Sequence, residues 1–388
     1  METTQQRYHG SGPGSTWRTG ALGVIGAGAC LVLLAGCMSG SGGGSAEVDT
    51  AAFEGLPAGE APEGALEGTD MTFVSYGGIY QDMEMEHVVD PFATHTGANV
   101  LSDGPTDLAK LRAQVESGTI TWDTVEASPV RGTALCGDLF QPLDDTLIDR
   151  SVIPENLPQG ECFVPIMVYA HTFFYDADKY GDNPPTTWAD FFDTENFPGV
   201  RGLEGRASPT PGTYETALMA DGVAEEDLYP LDTDRALSVY DRVVDDAVFW
   251  TSGAEQTQLI QGGEVDMLIG WSGRIPEVNR NGQNWKPVWD GGIVDSDILA
   301  ITAGSDNVVA SHSLINWFLG AEQQTVFTET TAYPPVNPEA TPEMDEVAAE
   351  VDVSDPEILD QLVRPDYEYW AENYDELNET WHRYVSQG

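Results

Sequence analysis

Asp295 and Asp297 stand two residues apart, just after Gly291-Gly292. On an extended segment that spacing puts both carboxylates on one side. A carboxylate buried there needs a cation beside it, and an alkylammonium group supplies one. Trp271 closes the apolar run Val265–Trp271 and precedes the turn residues Ser272-Gly273. An aromatic face at the end of a strand can stack on such an amine. Tyr76 occupies a similar place before Gly77-Gly78, glycines that let backbone approach a bound molecule, and Tyr80 follows one helical turn later. Arg274 adds a guanidinium, which pairs a carboxylate bidentately and repels a diamine. These residue types bind a small amine; they do not make or break its bonds.

Signals for catalysis are missing from the sequence. Gly270-Trp-Ser-Gly-Arg274 has the wrong spacing for a nucleophile elbow. No Cys-x-x-Cys or His-Glu-x-x-His occurs, and the six histidines are scattered. No metal site, cofactor or catalytic triad is implied. A secreted α/β hydrolase and a sensor lipoprotein independent of transport are the rival readings.

The elements that must hold these residues alternate. Asp70–Ser75 reads as a strand, Tyr80–Thr96 as a helix stopped by Gly97, and Asn99–Leu101 as a second strand. Thr106-Asp107 caps a helix carrying Leu108, Leu111 and Val115, stopped by Gly118, and Trp122–Ala127 reads as a third strand. Strand, helix, strand, helix, strand is the pattern of a parallel sheet covered by helices. A second unit begins near Val168, with helices expected over Thr213–Asp221 and Asp232–Asp246 before the strand Val265–Trp271. Ile298–Thr302 returns as a strand, followed by helices over Ser311–Leu319 and Ala321–Thr330, an acidic exposed connection at Asp345–Asp355 and an aromatic helical tail.

Export is written at the N-terminus. Arg7 and Arg18 precede the uncharged, mostly apolar run Ala21–Gly36, a signal peptide too short to span a bilayer. Leu34-Ala-Gly-Cys37 resembles a bacterial lipobox, so Cys37 is expected to carry lipid, with a Gly/Ser-rich and acidic tether following. Cys30 leaves with the signal, which leaves Cys136 and Cys162 as one disulfide in an oxidising compartment, worth about 3 kcal/mol. Sixty-five acidic residues face sixteen basic ones, a balance that repels nucleic acid and anionic lipid and reads as adaptation to salt.

Several segments, in order, resemble the spermidine/putrescine-binding (polyamine-type) solute-binding proteins of ABC importers. They are Ser-Tyr-Gly-Gly-Ile-Tyr-Gln (75–81), Thr-Trp-Asp-Thr-Val (121–125), Gly-Glu-Val-Asp-Met-Leu-Ile-Gly-Trp-Ser-Gly-Arg (263–274), Gly-Gly-Ile-Val-Asp-Ser-Asp (291–297) and Ala-Tyr-Pro-Pro-Val-Asn (332–337). The resemblance implies a type II, two-lobed periplasmic-binding-protein-like α/β fold, with ligand in a cleft closed by a hinge. It places Tyr76, Trp271, Asp297 and Tyr333 against the ligand and adds Ser128 at a strand end. It also implies delivery to an ABC permease and its ATPase. The expected organisation is a signal peptide (1–36), a tether (37–70), one lobe from 71–169 with 298–341, and a second from 170–297 with 342–388. Two departures shift the ligand away from a polyamine. Ser208–Tyr214 stands where polyamine binders present acids, with Glu215 the nearest one, and Arg274 follows Trp271. Both raise an amino-acid-like amine such as γ-aminobutyrate, its ammonium on Asp297 and its carboxylate on Arg274.

Overall fold

The computed structural model describes residues 48–387. Eight strands form one mixed sheet: β1 (Asp70–Val74), β2 (Asn99–Asp103), β3 (Thr124–Ala127), β4 (Phe163–Asp176), β5 (Arg201–Glu204), β6 (Ala247–Trp250), β7 (Met267–Trp271) and β8 (Trp285–Ile301). Their order is β2-β1-β3-β8-β4-β7-β5-β6. The first three strands are mutually parallel, as are the last three, and the two long antiparallel strands β4 and β8 join the groups. β8 pairs with β3 through Ile298–Ile301, while β4 pairs with β7 through His171–Tyr175. The sheet therefore changes partners at Asp295–Asp297, which lie opposite Tyr169 and Met167 of β4. This is a two-lobed type II arrangement with the pair of candidate carboxylates at the crossing.

Local sequence explains the helices that flank this crossing. Gly77 and Gly78 both take left-handed φ (77° and 66°), which a Cβ would strain, and so turn the chain from β1 into α1 (Gly78–Glu84). A π turn over Met85–Val89 continues into α2 (Asp90–Thr96), ended by Gly97 at φ 79°. Asp107 accepts from the Lys110 amide to start α3 (Leu108–Ser117), and Gly118 ends it in the left-handed region. Ser128 opens α4 (Pro129–Ala134) directly beyond β3, with proline at the first helical position. Cys136 and Cys162 form the expected disulfide.

Three expectations need correction. The tether was expected to run to residue 70, yet Phe53 and Leu66 are fully buried among the first lobe's core residues. Asn316 binds the Pro57 carbonyl and the Leu66 amide bonds Thr96, so chain from Asp49 onward is part of the folded body. The helix expected over Asp232–Asp246 stops at Tyr240, where a turn brings Val243 into the core before β6. Asp345–Asp355 is acidic on its exposed side but anchored by Ala348, Val351 and Val353, all buried. Cys37, the signal peptide and the first part of the tether, 37–47, lie outside the described residues. No described helix is long and apolar enough to cross a membrane.

Candidate functional site

Every strand end that meets the crossing contributes a side chain. Tyr76, at the end of β1, donates its hydroxyl to Asp297 Oδ1 at 3.0 Å. Tyr80, in the first turn of α1, donates to Glu126 Oε1 at 2.8 Å, and Ser75 donates to the other oxygen of Glu126. Glu84, one turn beyond Tyr80, is wholly buried against the same pair. From the second lobe, Trp271 ends β7, with the edge of Trp250 at 5.0 Å. Arg274, three residues on, lies over the Tyr80 ring at 5.7 Å. Tyr333 stands edge-on to Tyr80 at 5.6 Å and to Tyr169 at 6.3 Å. A Cβ on Gly273 would fall 2.3 Å from the Tyr333 ring, so only glycine lets the two lobes meet there.

Burial sets the charge states. It pushes the Asp297 carboxyl well above the usual range, and the neighbouring acids Glu126 and Asp295 add to this. Burial likewise raises Glu126, and Glu84 to about 8. Asp295 is raised to about 6, also by burial, but three donors oppose the shift. They are the Ser296 amide, Tyr367 and Tyr169, the last two at 2.8 and 3.0 Å. Its two oxygens are thus spent inside the protein. No Lys, Arg or His lies within 4 Å of Asp297 among the described residues, and its one hydrogen bond comes from Tyr76.

The structure brings Tyr76 to Asp297, and Arg274 and Tyr333 to Tyr80, with Trp271 ending β7 three residues before Arg274. It separates the two aspartates: Asp295 is a tyrosine-clasped structural acid, while Asp297 is the open one. The amide of Gly77 goes to Gln81 Oε1 at 2.9 Å, so this glycine shapes the turn under Tyr76. Ser128 is half-buried at the start of α4. Glu215, fully buried, accepts from Tyr229, Trp370 Nε1 and the Gly212 amide and holds the second lobe's core.

Sequence reading missed Glu126, Glu84, Arg206, Tyr169 and Tyr367. Two of them left a trace: Glu126 is an acid between Val125 and Ala127 in a buried strand, and Glu84 repeats one helical turn after Tyr80. Arg206 left none. Its guanidinium covers the Trp271 ring at 4.8 Å, a face expected to be free for ligand, with Nε on Glu204 and Nη2 on Thr210.

Residues 88–355 match the family described as bacterial extracellular solute-binding protein. The gamma-aminobutyric acid-binding protein of Pseudomonas aeruginosa is 29% identical over 327 residues, 82% of this chain and 91% of that protein. The solved structure of a GABA receptor is 33% identical, covering 82% of this chain and 98% of the other with a TM-score of 0.75. A binding protein from A. tumefaciens R10 in complex with agropinic acid is also 33% identical, covering 82% and 99% with a TM-score of 0.73. The chain belongs to the bacterial extracellular solute-binding proteins.

Proposed function

We propose that this solute-binding protein captures a zwitterionic amine of the γ-aminobutyrate or amino-acid type and delivers it to an ABC permease, with no chemistry of its own. One observation carries the reading: a buried acid, Asp297, and a half-buried base, Arg274, are both left without an ionic partner by the protein. Asp297 has no cation within 4 Å, and Arg274 has no carboxylate, its Nε lacking any acceptor. Leaving both uncompensated is costly, and a ligand bearing ammonium and carboxylate offsets both. Tyr76 and Trp271 supply aromatic walls for the carbon chain between them.

A polyamine is the second reading, favoured by the negative charge that Glu126 adds to the surroundings of Asp297 and by a spermidine/putrescine-binding relative from Escherichia coli, 23% identical over 200 residues. Arg274 opposes it by repelling a second ammonium. Further parts of the proposal are lipidation at Cys37, which would hold the domain to the outer face of the membrane, and the division into lobes at 71–169 with 298–341 and 170–297 with 342–388.

A thermal-shift screen of the mature domain tests the ligand class. γ-Aminobutyrate or an amino acid at 100 times its Kd is expected to stabilise by about 2.7 kcal/mol. Stabilisation by putrescine and by none of the zwitterions would overturn the proposal in favour of the polyamine.

A further inference from the structure

β5 pairs in parallel with β6 on one side and with β7 on the other, so the carboxyl ends of all three lie along one edge of the sheet. Glu204 is the last residue of β5, Trp250 of β6 and Trp271 of β7. Trp271 lies opposite His171 of β4, which pairs in turn with Ile293 of β8, so this edge adjoins the crossing that carries Asp297. The edge of Trp250 stands against Trp271 at 5.0 Å. Arg206, two residues beyond β5, lays its guanidinium over the Trp271 ring at 4.8 Å.

That guanidinium is fixed by its own segment. Nε donates to Glu204 Oε1 at 2.5 Å and Nη2 to Thr210 Oγ1 at 2.6 Å. Glu204 is buried, and its other donors are neutral: the Thr210 amide at 3.0 Å and the hydroxyls of Thr210 and Thr213 at 3.2 and 3.3 Å. Arg206 is the one cation within 4 Å of it among the described residues. Burial works to raise the Glu204 carboxyl, yet the guanidinium beside it leads the groups that hold it below its ordinary value.

An aromatic face with a buried acid beside it is an arrangement that seats an ammonium group. Here the protein fills that seat with its own cation. We infer that Arg206 is a specificity-determining residue that excludes diamines: it holds the place over Trp271 that a ligand's second ammonium would take, with Glu204 as its counter-ion. The inference rests on the zwitterion reading above and adds to it a determinant separate from Arg274. A guanidinium stays charged at every working pH, so the exclusion does not relax as pH changes. A diamine meets a like charge over Trp271, and to displace it must break an ion pair whose acid is buried. A ligand with one ammonium uses Asp297 alone and leaves the Arg206–Glu204 pair intact.

Calorimetry with putrescine, spermidine and γ-aminobutyrate on the wild type, on Arg206→Met and on Arg206→Met combined with Glu204→Gln tests this. Methionine keeps an unbranched chain against Trp271 and leaves Glu204 without a cation. Arg206→Met is expected to bind putrescine or spermidine at least tenfold more tightly than the wild type does. The double variant, with no acid left to receive an ammonium, is expected to gain less than threefold. No gain in Arg206→Met overturns the inference. An equal gain in the double variant also overturns it, because opened space over Trp271, and not a vacated cation seat, then explains the change. Both outcomes leave the zwitterion reading standing. A wild type that binds a polyamine more tightly than any zwitterion overturns that reading, and the inference with it. If Arg206→Met does not fold, Arg206→Gln, whose amide can still donate to Glu204, carries the same comparison.

Discussion

Tyr76 donates its hydroxyl to Asp297 Oδ1 at 3.0 Å, joining residues 221 positions apart. The bond ties the end of β1 to the crossing strand β8 and leaves the second oxygen of Asp297 without a donor among the described residues. An alkylammonium group is the partner that oxygen lacks. Asp297→Asn keeps the shape and removes the charge, so affinity is expected to fall by 2–5 kcal/mol, roughly 30-fold to several thousandfold. Tyr76→Phe should lose about 0.5–1.5 kcal/mol, one neutral hydrogen bond. Calorimetry on both variants checks the order, and an Asp297→Asn protein that binds like wild type contradicts the site.

Binding should release protons. In the free protein, burial and the nearby acids hold the Asp297 carboxyl above its usual range. An ammonium beside it favours the charged form and lowers that pKa. Affinity is therefore expected to rise with pH until the free carboxyl has ionised, and then to level off. Titrations in buffers of different ionisation enthalpy would show the released proton directly; identical heats in all buffers below neutral pH would refute it.

Arg274→Ala separates ligand classes. For a zwitterion the substitution removes the carboxylate's charged partner, and binding should weaken at least thirtyfold, again the 2–5 kcal/mol of a broken pair. For a diamine, affinity should hold or improve. Gly273→Ala, one residue earlier, gives a steric control. Its Cβ would lie 2.3 Å from the Tyr333 ring, so the ring must shift and both thermal stability and affinity should drop.

Glu84 gives the unliganded protein a pH-dependent stability. Its pKa is raised from 4.5 to about 8 by burial, so the folded state holds this proton more tightly than the unfolded chain. The stabilisation is complete below about 4.5 and is lost as pH rises through about 8. Glu84→Gln, neutral at every pH, should flatten urea midpoints measured from pH 5 to pH 8. An unchanged slope would place the proton elsewhere, on Glu126.

The sequence by itself determined the local elements and the end residues they present. Glycines at 77, 78, 97 and 118, the cap at Asp107 and the apolar runs act over a few residues, where backbone geometry and side-chain periodicity are enough. Tyr76, Trp271 and Asp297 were legible for that reason: each sits at or beside a turn or crossing that its own segment encodes. Tertiary structure alone decided which charges meet. Asp295 and Asp297 are equivalent in spacing, yet Tyr169 and Tyr367 arrive from strand β4 and the tail to satisfy one and not the other. Arg206 covers Trp271 only because loops far apart in sequence converge on one strand crossing. A carboxylate's role depends on what lies within a few ångströms of it, and in a two-lobed fold those neighbours are supplied by chain hundreds of residues away.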